Sequence, residues 1–204
     1  MRVALFGGTF DPPHRGHLAI ARAAADAFHL DQVLFAPVAL QPLKAGRATT
    51  NFADRLAMTR LACAADPRFS PSALDAPREN ARPNYTVETL AALRAALPDA
   101  TLFNLVGADS FLSLPQWRDP HLLLQMVEWI VVSRPGFSLE TPEALAPLHL
   151  TAAERSRVHF LHTVHDDVSS TDLRRRLSAA EPCSDLLPPA VADYIREHHL
   201  YTTP

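Results

Sequence analysis

The 204 residues contain only two cysteines, Cys63 and Cys183, with no CxxC or other metal-ligand spacing. A cysteine metal site is therefore excluded, and reduced thiols are expected. No apolar run reaches the roughly 18–20 residues of a membrane span. The first residues carry one charge, Arg2, and lack the apolar core and cleavage pattern of a signal peptide. A net charge of -3 gives no basic footprint for nucleic acid or an acidic membrane surface. Neither G-x-G-x-x-G nor G-x-x-x-x-G-K-[ST] occurs, and no internal repeat is visible. These absences lead to the expectation of a soluble cytoplasmic protein without nucleic-acid or membrane partners, in which any basic site is local.

A hydrophobic content of 48% and a charged content of 20% are those of a globular chain. The 18 prolines are scattered between periodic segments and read as loop punctuation. Apolar runs predict strands at 2–6, 33–36, 68–75, 101–106, 127–132 and 158–161. Helical patterns predict helices at 17–29, 51–65 with Asn51 as cap, 85–97, 172–180 and 188–199, with shorter turns near Phe111 and His121. Residues 137–156 read as an excursion with one short helix. This alternation predicts an α/β fold with a doubly wound parallel sheet, formed as a single domain over 1–204. Residues 165–204 form its small C-terminal helical part. Ligands of such sheets bind beyond the carboxyl ends of the strands. Four polar groups follow strands in this way: the Gly7–His17 loop, the 37–47 loop, Gly107–Ser110 and Arg134. They are expected to converge on one crevice.

The densest chemistry lies in Gly7-Gly8-Thr9-Phe10-Asp11-Pro12-Pro13-His14-Arg15-Gly16-His17. Gly7 and Gly8 let backbone approach an anion closely, and a following helix start offers unpaired N–H groups to phosphate. His14 and His17 add donors that can carry charge near neutral pH, although either could be a satisfied loop or cap histidine. Ser170 and Thr171 stand at a second helix start, where N-capping and phosphate binding use the same geometry. Arg174 is a phosphate clamp candidate, whereas Arg175 and Arg176 are expected to face solvent or an acidic patch. Lys44 is a second clamp candidate or a solvated loop lysine. Asp109 follows Gly107 after a strand and is either a ribose ligand or a helix cap. Trp117, flanked by Gln116 and Arg118, can stack on a cationic ring or sit in the core. The N–H groups near Thr86 can hold a carboxylate. Cys63 sits among alanines and reads as a small buried apolar residue. His159, His162 and His165 recur every third residue, and no acid or cysteine completes a metal site.

His14-Arg15-Gly16-His17 and Ser169-Ser170-Thr171-Asp172-Leu173-Arg174, in this order, resemble the nucleotidylyltransferase superfamily with its H-x-G-H and S-S-T-x-x-R motifs. Three further stretches are similar to the bacterial nicotinate-nucleotide adenylyltransferase family: Asn84–Leu90, Val106–Ser110 with Leu114–Trp117, and Val132–Gly136. The resemblance runs from residue 1 to about 201 and implies a Rossmann-like nucleotidyltransferase fold. It also implies transfer of AMP from ATP to nicotinate mononucleotide, giving deamido-NAD and pyrophosphate. On this resemblance His14 and His17 are catalytic. Gly7, Gly8, Thr9, Phe10, Lys44, Gly107, Asp109, Ser170, Thr171 and Arg174 bind ATP, and Thr86, Trp117 and Arg134 bind the mononucleotide. Magnesium is expected through the phosphates of ATP, with no metal ligand from the chain. No oligomeric state follows from it. One loop departs from the family's P-P-H-K and reads Gln41-Pro42-Leu43-Lys44, keeping the cation but replacing the imidazole. The alternatives are a nicotinamide mononucleotide or phosphopantetheine adenylyltransferase, or a non-catalytic nucleotide-binding protein on the same fold.

Overall fold

The first apolar run becomes β1 (Arg2–Gly8), and its side chains alternate between two cores: Val3 and Leu5 on one face, Ala4 and Phe6 on the other. Burial on both faces is what a central parallel strand requires. The computed structural model of the chain describes residues 1–44, 49–133, 142–162, 168–183 and 185–202. The remaining strands are β2 (Gln32–Pro37), β3 (Phe69–Pro71), β4 (Thr101–Gly107), β5 (Glu128–Ser133) and β6 (Val158–His162). They pair in parallel in the order β3-β2-β1-β4-β5-β6. The chain order reverses between β1 and β4, which opens a crevice beyond their carboxyl ends.

The α-helices of the described residues are α1 (Arg15–Ala27), α2 (Phe52–Cys63), α3 (Thr86–Ala96), α4 (Ala108–Leu112), α5 (Pro120–Met126), α6 (Pro142–Leu145), α7 (Ala152–Arg155), α8 (Ser170–Ser178) and α9 (Pro189–Glu197). Helices α1, α2, α8 and α9 cover the face of Ala4 and Phe6, contributing Leu18, Met58, Leu173 and Val191. Helices α3, α4 and α5 cover the face of Val3 and Leu5, contributing Leu90, Phe111 and Leu123. The sheet is thus wound on both sides, as the alternation of elements predicts. None of the described helices is long and apolar enough to cross a membrane.

The differences from expectation are local and physical. β3 is shorter than the expected 68–75 and lies at the sheet edge, where Pro71 is tolerated because the ladder bond beyond it is made by the Ser72 N–H to the Phe35 carbonyl at 2.8 Å. α1 starts at Arg15 rather than 17, since His14 takes the cap position. Excursion 137–156 holds two short helices in its described part, not one. The second, α7, is fixed by a capping box in which Thr151 and Glu154 satisfy each other's backbone N–H groups. Asn51 caps α2 as expected, accepting the Asp54 N–H at 2.9 Å. Cys63 is buried as expected, and burial pushes its thiol up to about 12, so it stays protonated.

Candidate active site

Beyond β1 the chain turns back on itself and enters α1 at His14. The His14 N–H donates to Nδ1 of His17 at 3.2 Å, the return half of a capping box built on imidazole. Accepting at Nδ1 leaves the His17 proton on Nε2, so a neutral ring still carries a donor. The two rings stack with centroids 3.7 Å apart and planes at 26°. Burial lowers the His14 pKa to about 4, and burial together with neighbouring His14 holds His17 well below its usual range. The expectation that these histidines carry charge near neutral pH is therefore corrected: both are neutral there, because burial penalises the cation. The cap alternative for His14 and His17 also describes their geometry. Nδ1 of His14 is buried and has no hydrogen-bond partner among the described residues.

The second motif packs directly on this loop. Ser170 donates its hydroxyl to the carbonyl of Pro12 at 3.1 Å, and Arg174 donates from Nη1 to the carbonyl of Asp11 at 2.8 Å. Arg174 also approaches Thr171 Oγ1 at 3.4 Å. The cap of α8 is Ser169, which accepts the Asp172 N–H at 3.1 Å. The capping alternative for Ser170 and Thr171 thus belongs one residue earlier. Arg175 and Arg176 turn to Asp172, and Arg175 also reaches Glu181.

A cavity of about 150 Å³ opens on the other side of β1. Gly7, Gly8, Gly107, Thr86 and Trp117 from the sequence-derived set line it, with Pro42 and Leu43 of the departing loop. A Cβ on Gly7 would meet nothing within 4 Å, so this wall is bare backbone facing open space. A Cβ on Gly8 would come within 3.1 Å of the Phe10 ring, so that position must stay small. Trp117 is half-buried, its Nε1–H donating to Ser113 Oγ at 3.1 Å, with its ring 6.1 Å from that of Trp129. The indole is thus oriented, packs against the core beside Trp129 and also lines the cavity. Leu43 is 47% exposed at the cavity wall, in the place where the family carries an imidazole.

Asp109 lies outside the cavity wall, exposed in the first turn of α4. The cap of that helix is Gly107, so the cap alternative for Asp109 fails. Arg134, His165 and the side chain of Lys44 lie outside the described residues. His159 meets the Glu128 carboxylate at 2.9 Å, and His162 meets Ser133 Oγ at 3.0 Å.

Further residues complete the site, and of these Asn84, Tyr85 and Glu88 fall within the Asn84–Leu90 stretch already singled out in the sequence. Asn104, buried in β4, lines the cavity and has an Nδ2 without a partner among the described residues. Asn84 is buried and staples the rim, accepting the Leu40 N–H at 3.1 Å and donating to the Ala76 carbonyl at 3.0 Å. Glu88 gathers the guanidinium groups of Arg78, Arg82 and Arg118, and Arg118 lies 4.8 Å over the Tyr85 ring at the cavity mouth. An asparagine inside an apolar run, as in Phe103-Asn104-Leu105, is the pattern that could have singled out Asn104.

Comparison with known proteins agrees with this architecture. The cytidylyltransferase-like family matches residues 5–176. A protein of Neisseria gonorrhoeae named "Probable nicotinate-nucleotide adenylyltransferase" is 45% identical over 201 residues, covering 98% of both chains. A relative of the same name from Solibacter usitatus is 41% identical over 202 residues, covering 98% of this chain and 100% of its own. The solved structure of Plasmodium falciparum nicotinic acid mononucleotide adenylyltransferase complexed with NaAD superposes with a TM-score of 0.75 over 98% of this chain and 97% of that one. At 15% identity that likeness is one of fold. By the span of the family match and the identity to full-length relatives, the chain belongs to the cytidylyltransferase-like family and, within it, to the nicotinate-nucleotide adenylyltransferases.

Proposed function

We infer that the chain is an enzyme that transfers AMP from ATP to nicotinate mononucleotide, giving deamido-NAD and pyrophosphate. The observation that carries this reading is that Gly7 and Gly8 are both a wall of the cavity and the lead-in to the stacked histidines. A ligand filling the cavity therefore has its exit at the histidine loop. A phosphate oxygen of the mononucleotide attacks the α-phosphorus of ATP. One P–O bond forms, the bond from the α-phosphorus to the bridging oxygen breaks, and pyrophosphate leaves with the electron pair. The nucleophile is already an anion, so no base is required, and catalysis rests on positioning and charge stabilisation.

In this scheme His14 and His17 act as neutral N–H donors to the α-phosphate, whose negative charge shifts onto its outer oxygens in the transition state. Thr9, Phe10 and the bare Gly7–Gly8 backbone line its approach, and Gly107 and Asp109 serve the ribose. Ser170, Thr171, Arg174 and Lys44 serve the outer phosphates, with one edge of Arg174 already engaged by the Asp11 carbonyl. Trp117 stacks on the pyridine ring, N–H groups at Thr86 meet its carboxylate, and Arg134 meets the mononucleotide phosphate. Magnesium enters with ATP as part of the substrate. No three histidine, cysteine or acidic side chains of the described residues are grouped to hold it, and the Asp11 carboxylate is engaged by Tyr201 and Thr50. The reading extends to a single nucleotidyltransferase domain over 1–204 working in the cytoplasm.

The test is pyrophosphate release from ATP with nicotinate mononucleotide, nicotinamide mononucleotide, phosphopantetheine or no acceptor. Release with nicotinate mononucleotide above all others is expected. Absence of release with every one of the acceptors would overturn the reading in favour of a non-catalytic nucleotide-binding protein.

A further inference from the structure

Phe10, at the centre of the histidine loop, has φ of 48°, a left-handed conformation that a bulky side chain adopts only when its surroundings impose it. The surroundings are specific. The carbonyl before Phe10, that of Thr9, accepts Arg55 Nη1 at 2.7 Å, and the carbonyl after it, that of Asp11, accepts Arg174 Nη1 at 2.8 Å. Arg55 is 1% exposed and also holds the carbonyls of Val38 at 2.9 Å and Thr50 at 2.9 Å. The Asp11 carboxylate has no exposed surface. Its Oδ2 accepts the Thr50 N–H at 3.2 Å and its Oδ1 accepts the hydroxyl of Tyr201 at 2.6 Å.

Tyr201 comes from the far end of the chain, just beyond α9. Burial and Asp11 together push its pKa well above the ordinary range, so it remains a donor at any working pH. A buried carboxylate keeps its place only while its hydrogen bonds are made. What this arrangement holds is the Phe10 ring, which lies edge-on to His17 with centroids 4.9 Å apart and planes at 72°, and contacts Phe6 and Phe35 on its other sides. The Phe10 ring thus forms one wall of the His17 imidazole, and His14 forms another.

We propose that Tyr201 is a positioning residue for His17: its hydroxyl latches the C-terminal segment to Asp11, and the latch fixes Phe10 and through it the imidazole. The proposal rests on the assignment of His17 as the α-phosphate donor. Tyr201 does not line the cavity and binds the side chain of Asp11 rather than the backbone carbonyl that holds Arg174, so its loss is expected to act on turnover more than on binding.

The test is Tyr201→Phe in the full chain, which keeps the ring and removes only the hydroxyl, assayed well below its melting midpoint. We expect kcat for adenylyl transfer to fall about tenfold while KM for ATP and for nicotinate mononucleotide stay within about twofold. In a His17→Ala background the same substitution should cost nothing further, because the latch acts through that ring. The imidazole 15N and 13C NMR signals of His17 in the free protein should shift in Tyr201→Phe, a readout that needs no turnover. Wild-type kcat, full additivity with His17→Ala, or unmoved His17 signals would each overturn the proposal. A wild-type chain that releases no pyrophosphate would instead overturn the activity, and the NMR arm would still decide the latch.

Discussion

The two sides of Gly7 and Gly8 are built on opposite principles. On the histidine side, the loop is held by groups from α2, α8 and the C-terminal segment: Arg55, Ser170, Arg174 and Tyr201 all bind it. On the cavity side, Trp117 is fixed by one hydrogen bond, Asn104 has an amide nitrogen with no partner among the described residues, and Leu43 stands exposed on the wall. The first side is organised before any ligand arrives, as charge stabilisation at a reacting centre requires. The second is a shaped space whose rim is stapled by Asn84 and Glu88 but whose inner wall offers the bare Gly7–Gly8 backbone and the Asn104 amide to a ligand. Substitutions should therefore separate into losses of turnover on one side and of binding on the other.

The largest expected effect tests the histidine side. His17→Ala removes the Nε2–H donor and should lower kcat by about 10²–10³, with KM values little changed. Circular dichroism and melting would confirm that the fold survives. A His17→Ala enzyme with near-normal turnover would break the comparison, because the preorganised side would then be only structural.

The next effect is on stability and has a definite sign. Unfolded His14 takes its proton near 6.5, whereas in the fold it does so near 4. Between those values the unfolded chain binds more protons, so stability falls as pH drops through this window and levels off below it. His14 alone corresponds to a loss of about 3 kcal/mol across the window, and His17 acts with the same sign. Urea midpoints measured from pH 7 to pH 4 should therefore fall steeply in the wild type and less steeply in His14→Gln. The Asp66 carboxyl, held near 2 by its hydrogen bonds from Arg68, gives up its contribution as pH falls through the usual carboxylate range toward 2, which lies mostly below the window. Equal slopes in the two proteins would show that the stacked pair is not held neutral by burial.

How far the sequence foretold these two sides differs in the same way. The parallel sheet is legible because Val3–Phe6, Val33–Ala36 and Leu102–Val106 are short apolar runs punctuated by glycine, proline and helical periods. The histidine loop is legible because its motif is contiguous. Its supports are not: Arg55 and Tyr201 reach it from 46 and 190 residues away, and no local pattern marks a side chain that acts at such a separation. The neutral state of the histidines is not legible either, since it follows from burial of the rings, which is a tertiary fact. On the cavity side Trp117 announced itself through polar neighbours. Asp109 fits a cap by sequence, but the helix starts two residues earlier, with Gly107 as its cap. Asn104 was overlooked because one amide in an apolar strand does not disturb the period of the strand.

The smallest expected effect addresses that amide. Asn104 is 2% exposed, and its Nδ2 meets no acceptor among the described residues. Leaving a buried donor unmade costs about 1–3 kcal/mol, whereas an apolar side chain of similar size has nothing to satisfy. Asn104→Leu should accordingly raise stability by about 1 kcal/mol, read as a higher urea midpoint with unchanged slope. If the cavity is the side completed by its ligand, the same change should raise KM for the mononucleotide several-fold and leave kcat alone. A more stable protein with unaltered KM would make Asn104 a bystander and confine recognition to the rim around Tyr85, Thr86 and Trp117. A less stable protein would mean that the amide is already satisfied without ligand, and the contrast between the two sides of Gly7 and Gly8 would lose its clearest support.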